Sequence, residues 1–190
     1  MKNTLLQLSF VAVLLAACVF TASAADEAEQ KIAHSVERTP EGQLTVTEII
    51  VIDAPIAEVW DAYTTSQGYA SWAAPVAEAD VRPGGTIRAS YDPEHGLEGE
   101  HVITLHVVNY VPQRLLTLRT DAGENWPDVL KKDADNLYNV ILFDSLAPGR
   151  TRVTSYALGY TDSPELRRMM GFFEQQNRGL YERLIAYLEG

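Results

Sequence analysis

Hydrophobic positions change period three times along this chain. Ile32, His34 and Val36 alternate with polar neighbours, Thr39, Pro40, Glu41 and Gly42 supply turn residues, and Leu44 and Val46 alternate on the far side, which predicts a β-hairpin. The hairpin runs into a β-branched stretch, Ile49, Ile50, Val51 and Ile52, that reads as strand. Asp53-Ala54-Pro55 then predicts a helix start, with an Asp to accept first-turn N–H bonds and a Pro whose missing donor costs little there. Ile56, Val59, Trp60 and Tyr63 recur at i, i+3, i+4 and i+7, one apolar stripe of an amphipathic helix. Gly68 breaks that pattern, and residues 70–74 around Trp72 predict a second short helix before Pro75.

The period then returns to two. Residues 76–82 and 86–91 read as strands paired across Arg82-Pro83-Gly84-Gly85. After a loop over 92–99, residues 100–111 form a long strand that is apolar on both parities, ended by Pro112, with 114–120 as the next strand. An insertion over 121–135, carrying one short helix after Pro127, interrupts the meander; 137–146 and 150–160 resume it across Ala147-Pro148-Gly149. Asp162-Ser163-Pro164-Glu165 repeats the cap-then-Pro signature. From there an apolar stripe running from Leu166 through Met169, Met170 and Phe173 to Leu184 and Leu188 predicts a helix of about 25 residues. Strands between segregated helices argue an α+β fold, and a helix that long buries its stripe only if the antiparallel sheet curves around it. With Phe143, Val153, Ser155 and Ala157 pointing inward, Ser155 and Ala157 are small where a tight core would hold bulk. Two readings follow: space between helix and sheet, or a helix packed closer there.

The first two dozen residues change the picture of where this domain works. Lys2, an apolar run over 5–17 and Ala22-Ser23-Ala24 have the form of a secretory signal peptide, 1–24, followed by a polar linker over 25–31 and one domain over 32–190. A rival reading lies inside it: Leu15-Ala16-Ala17-Cys18 has the form of a bacterial lipobox, which would leave Cys18 as a lipid-anchored N terminus. Both readings export the protein, to the periplasm or beyond, with no transmembrane span in the mature chain. Cleavage after Ala24 also removes the single Cys of the 190 residues, and with it any disulfide, zinc thiolate or Cys nucleophile. The formal charge of −11 argues against nucleic-acid partners, because counterion release needs Lys and Arg on the protein. About 150 ordered residues suffice for a core without staples.

The chain resembles the SRPBCC (START-like, birch-pollen-allergen-like) superfamily, in the branch of the activator of heat-shock-protein ATPase. The residues that carry the resemblance are IDAPIAEVWDAYTT (52–65), WAAP (72–75), DVRPGG (80–85), VVNYVPQRLL (107–116), PGRTRVT (148–154) and GLYERLIAYL (179–188). It implies a helix-grip fold, a curved antiparallel sheet around the C-terminal helix, and binding of a small apolar or amphipathic molecule or lipid in the cavity between them. It implies no shared catalytic residue, and none is assigned. The exported location, the N-terminal hairpin and the 121–135 insertion, placed to cover one cavity mouth, depart from the co-chaperone namesake. That namesake's partner is a cytosolic ATPase.

No nucleophile elbow, zinc-binding helix motif, phosphate loop or dinucleotide fingerprint occurs, so neither a metal nor a cofactor is expected. Among four His, His101 and His106 read as one strand's opposite faces, and His106 suits a general base if it points inward. The carboxylates Asp133 and Asp135 read as a solvated pair. Trp60 and Tyr63 read as core. Trp72 and Tyr91 lie near the cavity mouth of the resembled fold, Trp126 serves as lid or loop anchor, and Met169 and Phe173 give the last helix a soft apolar face. The expected cavity lining is therefore Trp72, Tyr91, His106, Phe143, Ser155, Ala157, Met169 and Phe173. Three functions stay open: a ligand-binding module, a cyclase- or dehydratase-like enzyme using an inward His or Tyr, and a protein-interaction module of the cell envelope. The oligomeric state is not legible.

Overall fold

The computed structural model describes residues 31–99, 101–121 and 126–190. The signal-peptide, Cys18 and linker readings over 1–30 lie outside the described residues. Eight strands form one antiparallel sheet: β1 (Ile32–Arg38), β2 (Gln43–Ile52), β3 (Val76–Ala79), β4 (Thr86–Ser90), β5 (Ile103–Val111), β6 (Leu115–Thr120), β7 (Tyr138–Ala147) and β8 (Arg150–Thr161). Their order across the sheet is β1-β2-β8-β7-β6-β5-β4-β3. Two short helices, α1 (Ile56–Thr64) and α2 (Ser66–Trp72), follow β2; α3 (Asp128–Asp133) follows Pro127; and α4 (Pro164–Glu189) closes the chain. This is the expected α+β helix-grip arrangement, with a curved sheet around α4.

Alternation selects the inner face. On β2, Leu44, Val46, Glu48, Ile50 and Ile52 are buried, and on β8 Thr151, Val153 and Ser155 are. β5 was ambiguous because both of its parities are apolar. A bulge between Val107 and Asn109 resolves this by shifting the phase, so that Leu105, Val107 and then Tyr110 all pack against the core. His106 consequently faces out. His101 precedes β5 instead of lying on it.

Two helix starts differ from expectation. Asp53 does not cap α1, whose N-cap is Pro55 with no side-chain bond. The Asp53 carboxylate is taken up by Lys31 at 3.0 Å and Arg150 at 3.4 Å, which tie β1, β8 and this corner together. Ser163 does cap α4, accepting from the Leu166 N–H at 3.1 Å, while Asp162 pairs with Arg167, a cap of the kind that contributes about 1 kcal/mol. α2 starts four residues earlier than expected, and Gly68 lies within it. A Cβ there would strike the Ala62 backbone and Thr65 Oγ1, so Gly68 lets the two short helices close on each other. Asp133 is buried instead of solvated: its carboxylate accepts from Thr161 N at 2.8 Å and Thr161 Oγ1 at 2.7 Å, locking α3 to the end of β8.

The core is split. One cluster gathers Ile50, Ile52, Val59, Tyr63, Trp72, Phe143, Val153 and the C-terminal part of α4 through Tyr181 and Leu184. A second holds Leu44, Val46, α3 through Leu130, and the start of α4 through Leu166 and Met170. Between Met170 and Tyr181 no α4 residue is buried, a span of about 16 Å along the helix axis. Cβ atoms added at Gly171 and Gly179 would meet nothing within 4 Å. The middle of α4 stands off the sheet.

Candidate functional site

The gap under α4 is a cavity of about 670 Å³, inside the range of small-molecule sites. Ser155 and Ala157 on β8 form part of its sheet wall, so of the two readings left open for these small inward residues the space between helix and sheet is the one present. Trp72, Met169 and Phe173 also line it. Trp126, Pro127 and Leu130 of the insertion close one end, where Trp126 packs against the second cluster. Phe172, 59% exposed, and the part-exposed Glu174 mark where the cavity meets solvent.

Three of the eight expected lining residues lie elsewhere. Tyr91 follows β4 on the surface and is 56% exposed. His106 is on the outer face of β5, its Nε2 2.6 Å from Asp121 Oδ2. Phe143 points inward but is 1% exposed, held edge-on to Trp60 and Tyr63 with ring centroids 5.2 Å away in both cases. It is core under the cavity floor.

The inward His is His34. From β1 it reaches the cavity with its Nδ1 3.7 Å from Glu48 Oε1 and its Nε2 3.8 Å from Glu174 Oε2. Both distances are too long for hydrogen bonds, and Nδ1 is buried without a hydrogen-bond partner. Glu48, 6% exposed on β2, accepts from Asn177 Nδ2 at 3.1 Å and from the Tyr181 hydroxyl at 2.6 Å. Asn177 and Tyr181 are one turn apart on α4 and so present one face to the same carboxylate. Burial, and then the nearby Glu48 carboxylate, push the Tyr181 hydroxyl well above the usual tyrosine range, which keeps it a proton donor to Glu48. Ser155 Oγ donates to Asn139 Oδ1 at 2.8 Å beside this group. Tyr63, 4% exposed and lining the same space, has a hydroxyl with no partner. The Trp72 indole N–H is spent on Ala62 O at 2.9 Å, so Trp72 offers the cavity its ring face, stacked 6.4 Å from Tyr181.

A polar centre thus sits between two apolar ends, and sequence reasoning missed it. The signal was present: Glu48 is the one charged residue on the otherwise apolar inner parity of β2. A second polar group, Asp92, His95 and His101, brings its ligand-type atoms within 4.8 Å of one another, outside the cavity and largely exposed.

The sequence profile of the family described as Activator of Hsp90 ATPase homolog 1-like protein matches residues 53–189. The chain belongs to that family. Its membership also places it in the SRPBCC superfamily, as the resemblance implied. No curated protein matches the chain. Among solved structures, the Aha1 dimer of Colwellia psychrerythraea is similar at TM-score 0.61 and 15% identity, over 76% of this chain and 96% of that one. Protein Ms6760 of Mycobacterium smegmatis is similar at TM-score 0.59 and 18% identity, over 83% and 98%. CalU16 of Micromonospora echinospora is similar at TM-score 0.52 and 19% identity, over 81% and 84%. At these identities the likeness is one of fold. The matched span starts after β2, so His34 and Glu48 both lie outside it, whereas Asn177 and Tyr181 lie inside.

Proposed function

We propose that this member of the family is an exported binding protein that holds a small amphipathic molecule between its sheet and α4. The observation that carries the reading is the 670 Å³ cavity itself, lined by apolar side chains of both core clusters together with the polar group of His34, Glu48, Asn177 and Tyr181. Its walls are held open by small residues on β8 and by the unburied middle of α4. The neutral dye N-phenyl-1-naphthylamine tests it. Fluorescence enhancement on titration with dye is expected for the native sequence, and Ala157→Trp, which fills the space, is expected to abolish it. That variant is expected to lose no more than about 1–3 kcal/mol of stability, since it adds bulk to a void. No enhancement with the native sequence would overturn the reading.

A second reading has one observation in its favour. An imidazole with an unpartnered ring nitrogen beside a buried carboxylate, facing a cavity, is the arrangement of a general base. His34 takes the role considered for His106 in a cyclase- or dehydratase-like enzyme. Export rests on residues 1–24, and the mass of the native N terminus decides its route: a chain starting at Ala25 supports simple cleavage, and a lipid-modified Cys18 supports the anchored form.

A further inference from the structure

The charge on the cavity wall is one-sided. Among the described residues the lining includes two carboxylates, Glu48 and Glu174, and neither Lys nor Arg. Counting His34 as cationic still leaves the carboxylates in excess. Glu48 is buried although buried charges are usually paired; its hydrogen-bond donors are two neutral groups, Asn177 and Tyr181, and the nearest side chain able to carry a positive charge is His34, 3.7 Å away without a hydrogen bond. An ionised carboxylate has about four lone-pair positions, and these two donors leave room for more. The cavity walls carry nine aromatic side chains, among them Tyr63, Tyr69, Trp72, Phe173 and Tyr181. Aromatic faces attract organic cations and a buried carboxylate repels anions.

We propose that the cavity selects an organic cation: an amphiphile whose positively charged nitrogen sits at Glu48 and whose apolar body runs along the aromatic walls. This rests on the cavity being a ligand site, and it sharpens that reading by excluding fatty acids and other anionic amphiphiles. The charge of the whole chain favours the same class, because a field of this sign concentrates cations near the mouth. It also gives the hairpin a task. β1 and β2 lie outside the family-matched span and contribute the carboxylate and the imidazole that make this cavity polar.

Decylamine, decanol and decanoate share one apolar body and differ in head-group charge, so their affinities, read by displacement of the neutral dye at pH 7, isolate the head group. Decylamine is expected to bind at least about tenfold more tightly than decanol, and decanoate at least about tenfold more weakly. Glu48→Gln keeps the side chain's shape and is expected to remove the amine's advantage while leaving decanol within about twofold. The ranking in the native sequence needs no variant to fold. Decanoate equal to or tighter than decylamine, or a Glu48→Gln loss shared equally by amine and alcohol, overturns the proposal while the cavity reading stands. Failure of the dye and all three probes to bind overturns both.

Discussion

Phe143→Ala is expected to lower the free energy of unfolding by about 3–5 kcal/mol, the cost of deleting a large, fully packed aromatic. Phe143 is 1% exposed and is gripped edge-on by Trp60 and Tyr63 at 5.2 Å. Each such pair adds about 0.5–1.5 kcal/mol beyond the area it buries. The site cannot collapse to fill the hole, because α1 and β7 both hold their places through other contacts of the same cluster. Urea denaturation followed by circular dichroism measures the loss. Phe173→Ala is the control: Phe173 lines the cavity and is only partly buried, so truncation enlarges a space that already exists. A Phe143→Ala loss below about 1 kcal/mol would put Phe143 back on the cavity wall, where sequence reasoning had it.

The second large effect is an alkaline limit to stability. Burial pushes the hydroxyls of Tyr63, Tyr69, Tyr160 and Tyr181 above the ordinary tyrosine value, aided for Tyr63, Tyr160 and Tyr181 by the Glu48 carboxylate. A group whose folded pKa is raised contributes stability that is fully present below its unfolded value, near 10, and is lost as pH climbs toward the folded one. Above about pH 10 the unfolded chain releases these protons and the native state keeps them, so the unfolded state binds fewer and stability falls. Four groups acting together give a slope of up to about 5 kcal/mol per pH unit. Denaturation midpoints measured between about pH 9 and 11.5 are expected to drop steeply, with tyrosinate absorbance at 295 nm rising together with the loss of circular dichroism. Tyr63→Phe is expected to lower the slope by about a quarter. At pH 7 the same change is expected to be close to neutral, because the Tyr63 hydroxyl is buried without a partner and its removal breaks no hydrogen bond. A flat alkaline limb would mean that these hydroxyls reach water in the native state.

Among the described residues, pattern alone located the eight strands and four α-helices to within a few residues, since period and turn chemistry are local properties. It also turned Ser155 and Ala157 inward and left two outcomes open, a cavity or a closer helix, because small residues on an inward parity leave volume only if what packs opposite stands off. His106 shows where local reading ends. Its strand is apolar on both parities, so the face it takes depends on a bulge after Val107 that only pairing with β6 specifies. Phe143 shows a second limit: parity turned it inward, but whether an inward residue meets a helix or a void depends on where α1 lands.

The polar centre is the clearest case. The chain by itself determined the grip fold, the inward alternation of β2 and the apolar stripe of α4. It also put Glu48 on an apolar face, an anomaly visible without any structure. Only the tertiary structure brought His34, Glu48, Asn177 and Tyr181 together, across 129 residues between Glu48 and Asn177 and 133 between Glu48 and Tyr181. The physical reason is that a side chain's face is set by its neighbours in sequence, whereas its partner is set by the crossing of α4 over the sheet. That crossing is held by two separate core clusters, and of the four only Tyr181 belongs to one of them.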